Sequence, residues 1–560
     1  MDPLTDLIGA ARAELARENA ERAYELLVQT IPAHPRSVPL LMAFAEVLTD
    51  LDRPAEALET YHRVLMFDPT HAEARRAIAE AKAAKDLLLD LAFKAEQFRA
   101  FDEARENYAA VIHQEPHTIQ ALTRLLIIDG FEGRLAEADR HHAMLVAALT
   151  SADLAAEEPE LLATVAYQAI MRPLPPTLLA KVTTALDDKV TQIAAKIGPL
   201  PAPAPKRIGR LKIGYLSNHF RDHPIGHVTA ALFAAHDRSR FEVHVFYVPT
   251  GEPNPYTEQI RAGAEHFHTA SIGELAFVIA QKSLDLLIYL DGYMVPSLLA
   301  VMARRPAPVQ VFWLGHAGGC DLRAIDRVIA DEIVWPEIDA KVMRLGGTYH
   351  PASPHAIASE MSRAEAGLPR DGFVFCAFNN PEKIDTPTFD MWMRILGRTP
   401  GSLLWLSRTH SAAIEENLRA GASAHGIDGS RLVFARRLPD KAAHLARHRH
   451  AGLFLDTLGL NASTTALDAL WAGLPVLTVT GTRFASRIAT SFLTSLALPE
   501  LICGTAEDFE ERAVGLASDP AALSGLRERL TAQLKTRPLF QIQTFCRSLE
   551  TALVDISQGR

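Results

Sequence analysis

The chain has little cysteine, no long apolar run and no excess of positive charge, and each shortage narrows what it can be. Its four cysteines, Cys320, Cys376, Cys503 and Cys546, stand far apart without a CxxC pair. That excludes a zinc ribbon and a disulfide framework and fits a reducing cytoplasm. No stretch approaches about 18 uninterrupted apolar residues, and the opening MDPLTDLIGAARAEL has an early acid and no apolar core of signal-peptide type. A soluble, unexported protein without a membrane partner is expected. The formal net charge of −10 leaves no footprint for a polyanion, so nucleic acid is not an expected partner. No GxGxxG follows a first strand, which disfavours a nicotinamide or flavin dinucleotide.

What is present begins with a repeat. Ala23, Leu27, Thr30 and Pro35 recur at the same offsets as Ala57, Tyr61, Val64 and Pro69, and as Ala104, Tyr108, Val111 and Pro116. A fourth copy has Ala138, His142 and Leu145, with Thr150 in the proline position. The alanines are 34, 47 and 34 residues apart, so two steps match the tetratricopeptide period and the middle one carries 13 extra residues. A small alanine lets two helices approach and the proline ends the second. Residues 1–150 are therefore read as a helical solenoid, a docking module by default. Residues 151–197 continue helical as a cap or adaptor, and GPLPAPAPKR within 198–208 reads as a stiff connector.

Beyond the connector, short apolar runs alternate with helical stretches, the pattern of parallel sheets covered by helices. One half spans 209–345 with RLKIGYLSN, FEVHVFYV, LDLLIYLDG, PVQVFWLG and DRVIADE as strands. The other spans 371–560 with FVFCAFNN, SLLWLSR, RLVFA, AGLFLDT, LPVLTVTG and ELICG, after a seam at 346–370. Such halves place a ligand between them, at the carboxyl ends of strands. In LDTLGLNASTTALDALW, Ser463, Thr464 and Thr465 stand where a helix opens. Hydroxyls there either cap the helix or join its free N–H groups in holding a phosphate. The histidines of HLARHRH have metal-like spacing, but no nearby carboxylate or cysteine completes a site, and no metal is expected.

RPAPVQVFWLG, FNNPEKID, LDALWAGLPVLT and FASRIA resemble the signature blocks of the O-GlcNAc transferase and SPINDLY family of GT-B glycosyltransferases, whose usual layout places tetratricopeptide repeats first. The resemblance implies an inverting, metal-independent transfer from a nucleotide sugar to Ser or Thr of a protein, with no cofactor. Lys383 matches the family's lysine on the donor phosphates, and Thr464 and Thr465 its phosphate-contacting threonines. Asp468 matches the carboxylate on the ribose, and Lys441, His444 and Arg447 its ribose- and base-side residues. Asn380 stands where the family has glutamine. His223 matches a histidine considered for catalysis, as a base or as a positioning group; His227 reads as structural, and Asp285 and Asp291 carry no assigned role.

The chain departs from that pattern around the expected sugar. GHAGGCD replaces the family's GYPGTTG or GYPGTSG, which marks Gly315, His316 and Ala317 as sugar-pocket positions, and Ser463 replaces a histidine. Such changes alter the shape and hydrogen bonding that set specificity. A donor other than UDP-GlcNAc is expected, and the layout resembles a branch that modifies bacterial flagellin with a CMP-nonulosonate such as pseudaminic acid. A UDP-GlcNAc enzyme acting on cytosolic proteins, a repeat scaffold with a vestigial transferase half, and a sugar-nucleotide epimerase are the competing expectations.

Overall fold

The computed structural model describes residues 3–201, 209–249, 251–358, 361–407, 411–438 and 440–559. Most of the proline-rich connector, residues 202–208, lies outside them. Two compact units emerge, one of residues 1–129 and 137–152, the other of 130–136 and 153–560.

The first unit is built of helices joined by short turns, among them Val38–Asp50, Pro54–Phe67, Ala72–Gln97 and Phe101–Gln114. The repeat alanines Ala23, Ala57, Ala104 and Ala138 are all buried, as the close approach of helices requires. The 13 extra residues are absorbed by Ala72–Gln97, whose 26 residues are twice the 13 of Val38–Asp50. The added length leaves Leu87 and Leu91 exposed.

In the second unit, helices Pro159–Gln168 and Pro176–Lys196 lie against the first α/β half, where Arg323 donates from its backbone to Asp187 (3.1 Å) and from its guanidinium to Asp188 (2.6 Å). That half is a parallel sheet of β1 (Leu211–Ser217), β2 (Phe241–Tyr247), β3 (His266–Thr269), β4 (Leu286–Tyr289), β5 (Val309–Trp313), β6 (Arg327–Asp331) and β7 (Val342–Leu345), in the order β3-β2-β1-β4-β5-β6-β7. The other half contains β8 (Val374–Ala377), β9 (Leu403–Ser407), β10 (Leu432–Ala435), β11 (Leu453–Leu455), β12 (Val476–Val479) and β13 (Ile502–Cys503), in the order β10-β9-β8-β11-β12-β13. Central strands such as β4 and β8 are buried throughout, because helices cover both faces, and so they read as unbroken apolar runs. The sequence reading missed β3 and β7 for the opposite reason: they are the edges, half-exposed, and carry no such run.

One boundary differs from expectation. The last helix, Ile542–Ser557, does not stay with residues 371–560 but packs Phe545, Leu549, Leu553 and Ile556 into the core of the first sheet, beside Tyr215 and Trp313. Chain order is silent about this, since an amphipathic helix can cover either sheet. In each half the chain reverses direction across the sheet between two neighbours, β1 and β4 in one, β8 and β11 in the other. A crevice opens at the carboxyl ends of such a pair.

Candidate active site

Both switch points carry polar residues, among them His223, Asn380, Lys383 and Thr464, which the sequence singles out. After β1 come His219 and His223; after β4 comes Asp291; after β8 come Asn379, Asn380 and Lys383; after β11 runs the loop from Asp456 into helix Thr464–Trp471. Two adjoining cavities result. One, of about 370 Å³, is walled by His223, Gly315, Ala317, His350, Asn380, Lys383, Ser463, Thr464 and Thr465, among others. The other, of about 760 Å³, is walled by Tyr256, Arg436, Lys441, His444, Arg447 and Asp468. Thr464 belongs to both, so the mouth of its helix divides a smaller chamber from a larger one.

The loop before that helix is fixed by Asp456, fully buried at the end of β11. Its carboxylate accepts from Thr457 N (2.8 Å), Ala462 N (2.6 Å) and Thr478 Oγ1 (2.7 Å). Burial nevertheless lifts its pKa to about 6. The loop so held presents the Asn461 carbonyl to Lys383 Nζ at 2.9 Å. Burial pushes the Lys383 ammonium down to about 8, against the pull of the Asp456 charge. A cation held this way is ready for an anion, which would relieve the cost of its burial.

Side-chain capping, one of the two expectations for the hydroxyls, is not what the structure shows. Ser463 occupies the N-cap position without a side-chain cap. Its Oγ is turned instead to His350 Nε2 at 3.0 Å, and Thr465 Oγ1 donates to Asn379 Oδ1 at 2.6 Å. No side chain at Ser463 therefore competes for the first-turn N–H groups, which suit an anion. Asn380 lies on the same wall, its amide donating to Glu382 at 2.8 Å. Burial raises the Glu382 carboxyl to about 7.

In the larger cavity Asp468 gathers the groups the sequence had placed with it. Lys441 Nζ donates to its Oδ2 and His444 Nε2 lies 3.6 Å from the same oxygen. Arg447 Nη2 donates to His444 Nδ1 at 2.6 Å, which leaves the histidine proton on Nε2, facing Asp468. Burial, followed by His448 and Arg447, pushes the His444 pKa far down, so the ring is neutral. Arg447 is itself buried, stacked over the Phe378 ring at 4.2 Å, and acts on the cavity through His444 as much as directly. The other histidines of HLARHRH go elsewhere: His448 Nδ1 bonds the His444 carbonyl and His450 Nε2 the Met361 carbonyl.

His223 caps helix Pro224–Thr229 by accepting from Ile225 N (3.3 Å) on Nδ1. Its ring stacks on His219 at 3.9 Å, and His219 Nδ1 meets the buried Asp291 carboxylate at 3.0 Å. Burial first, then His219, pushes the His223 pKa down to about 3. With Nδ1 engaged, the neutral ring carries its proton on Nε2 and offers a donor to the cavity. His227 instead pairs Nε2 with Asp222 at 2.6 Å, and Asp285 accepts from Lys212 N at 2.8 Å, a strand contact.

The turn after β5 separates its three sugar-pocket candidates. Gly315 and Ala317 line the smaller cavity; His316 does not, because its ring is buried beneath, bonded through Nδ1 to the Gly319 carbonyl (2.9 Å) and set edge-on to Tyr293. Burial lowers its pKa to about 4. Gly315 has no room for a side chain: a Cβ would stand 1.8 Å from the Leu290 carbonyl oxygen. The preceding Leu314 has φ of +85°, a conformation a branched side chain adopts only when its surroundings impose it. Sequence reasoning missed His350, Tyr167 and Asn379, all on the cavity wall. Asn379 lies inside a recognised block, FNNPEKID, but His350 lies in the seam and Tyr167 in the adaptor, where no local signal marked them.

Two groups of metal-ligating type occur among the described residues, His236 with Cys546 and Glu550, and Glu242 with His244 and His266; neither reaches the walls of these cavities. Among the same residues no helix is long and apolar enough to cross a membrane.

Comparison with known proteins places the chain in a family. The chain is 32% identical over 411 residues to the probable UDP-N-acetylglucosamine--peptide N-acetylglucosaminyltransferase SEC of Arabidopsis thaliana, covering 69% of this chain and 42% of that protein. It is 27% identical over 467 residues to UDP-N-acetylglucosamine--peptide N-acetylglucosaminyltransferase of Caenorhabditis elegans, covering 61% and 40%. The chain thus spans about two fifths of the length of these relatives. An O-GlcNAc transferase mutant of Thermobaculum terrenum shares the fold, with a TM-score of 0.61 at 23% identity over 99% of this chain and 97% of that one. The model for glycosyl transferase family 41 matches residues 181–345 and 346–549, which encompass both switch points: the chain belongs to that family.

Proposed function

We propose that this chain transfers a sugar from a nucleotide sugar to a Ser or Thr hydroxyl of a protein, with inversion and without a metal ion. The observation that carries the reading is the division of one cleft by the mouth of helix Thr464–Trp471, with Lys383 on the smaller side and the Asp468 cluster on the larger. A nucleoside suits the larger chamber, its ribose hydroxyls donating to Asp468 beside Lys441 and His444. The donor phosphates then meet Lys383, Thr464 and the uncapped helix end. Lys383 offsets the charge that grows on the leaving phosphate as the glycosidic bond breaks, a role metal ions fill in other transferases.

His223, neutral with its proton on Nε2, suits a positioning role better than that of a base: a group with a pKa of about 3 is a weak acceptor at neutral pH. For the sugar, the smaller cavity has Lys383 as the one lysine or arginine among its described walls, beside two histidines that burial keeps neutral, which favours a neutral hexosamine such as the N-acetylglucosamine in the relatives' names. A second reading, a CMP-nonulosonate donor with flagellin as acceptor, is favoured by the departures at His316 to Asp321 and at Ser463.

The deciding experiment incubates the full chain with flagellin and cytosolic acceptor proteins and, separately, UDP-GlcNAc, GDP-fucose and a CMP-nonulosonate, reading intact-mass additions. An N-acetylhexosamine addition supports the first donor and a nonulosonate addition the second. No addition with any donor, together with no nucleotide binding, refutes the enzyme. For acceptor docking by the helical repeats, Leu87→Ser with Leu91→Ser is expected to slow modification of whole proteins while sparing a short acceptor peptide. Equal loss on both substrates refutes that role.

A further inference from the structure

The smaller cavity contains a pair of side chains whose hydrogen-bond polarity is determined by the backbone. His350 is buried, 4% exposed, in the segment that joins the two halves, and both it and Ser463 line the cavity. His350 Nδ1 lies 2.8 Å from the Pro351 carbonyl. A carbonyl oxygen only accepts, so Nδ1 carries the hydrogen and Nε2 is a bare acceptor. Nε2 in turn lies 3.0 Å from Ser463 Oγ, so the serine hydroxyl donates to it. The chain of bonds runs one way, from Ser463 to His350 to Pro351, and the Ser463 oxygen is left with lone pairs and no hydrogen to offer.

We propose that His350 positions Ser463 as a dedicated hydrogen-bond acceptor that reads a hydroxyl or amide N–H on the donor sugar. This rests on the reading of the cleft as a nucleotide-sugar site and assigns His350 to its sugar chamber. Burial holds the imidazole neutral, its pKa lowered to about 4, so the polarity persists across the physiological range. A ligand group that only accepts, such as a carboxylate or ether oxygen, gains nothing at Ser463 Oγ. To be served there it would have to take the serine hydrogen and leave the buried Nε2 without a donor, an unfavourable exchange. A sugar that presents a donor keeps every group satisfied. Specificity of this kind, in which the wrong ligand strands a buried polar atom, discriminates more sharply than a difference in size.

His350 acts through Ser463 and the test must separate that from a merely structural role. With whichever donor the wild type uses, kcat and KM are measured for Ser463→Ala, His350→Phe, His350→Gln and the Ser463→Ala/His350→Phe double variant. Affinity for the free nucleotide product is measured alongside by calorimetry. Each single removal is expected to lower kcat/KM about tenfold, and the double variant to lose no more than either single one, since the two groups form one contact. His350→Gln, which keeps an acceptor within reach of Ser463, is expected to recover most of the loss. Nucleotide affinity is expected to stay within about twofold of wild type throughout, because its anchors lie beyond Thr464. Single variants with wild-type kcat/KM, losses that multiply in the double variant, or a parallel fall in nucleotide affinity would each overturn the proposal. A wild-type chain that binds no nucleotide and uses no donor overturns the reading of the cleft as well, and is distinguishable from those outcomes.

Discussion

Lys383 permits the most quantitative prediction. Burial takes its pKa from 10.5 to about 8, a fall of about 2.5. At pH 9 an ordinary lysine would be about 97% charged, whereas one with a pKa of 8 is about 10% charged. If the ammonium is what meets the donor phosphate, kcat/KM, which reports the free enzyme, falls about tenfold per pH unit above pH 8. With donor bound, the neighbouring negative charge favours the charged form, so the alkaline limb of kcat lies at higher pH. Lys383→Arg keeps its charge at every pH in this range and is expected to lose the limb, even if its rate is lower. Stability moves the other way. The folded protein binds fewer protons than the unfolded chain between pH 8 and 10.5, so this group's contribution rises with pH over that window, by about 3 kcal/mol for a fall of 2.5. Steady-state rates from pH 6.5 to 10 with saturating and limiting donor are the assay. A wild-type kcat/KM flat to pH 10, or a limb near pH 8 that persists in Lys383→Arg, refutes the assignment.

Three further outcomes are expected. Asp468→Asn removes the negative charge shared by Lys441 and His444 and turns one of two acceptor oxygens into a donor, and should weaken nucleotide binding by about tenfold to a hundredfold in calorimetry, with transfer at saturating donor less affected; unchanged affinity would remove Asp468 from the ribose site. Gly315→Ala drives a methyl group against the Leu290 carbonyl and should cost both transfer and melting temperature; wild-type values for both would show that the turn relaxes without consequence. Leu549→Ala opens a cavity under the first sheet and should cost about 2–5 kcal/mol in denaturant unfolding of the second unit; a loss below about 0.5 kcal/mol would mean that the last helix is not part of that core.

Much of the fold was readable because periodicity is a direct trace of burial. The buried alanines of the repeats and the apolar runs of the central strands announce themselves, and the missed strands β3 and β7 are edges whose exposure removes the signal. The extra 13 residues were visible as a number but not as a lengthened helix, since a spacer, a loop and a longer helix can share one count. Lys383, Thr464 and Asp468 sit inside contiguous motifs after strand ends, which is why the family resemblance could name them together.

The wall of the smaller cavity behaved differently. His316 looked like a pocket residue, yet its ring turns inward and bonds the Gly319 carbonyl. Ser463 looked like a lost imidazole, yet His350, 113 residues earlier, brings one to it. The polarity of that pair depends on a third atom, the Pro351 carbonyl. By itself, then, the sequence determined the two architectures and the strands that end at the cleft, consequences of local pattern, and its resemblance to a family picked out residues that the fold gathers around the two cavities. Only the tertiary structure decided which imidazole lines the smaller cavity beside Ser463, which sheet the last helix covers and which hydroxyl caps nothing. Those depend on contacts between segments far apart in the chain, where hydrogen-bond partners and steric room, not spacing, select the outcome.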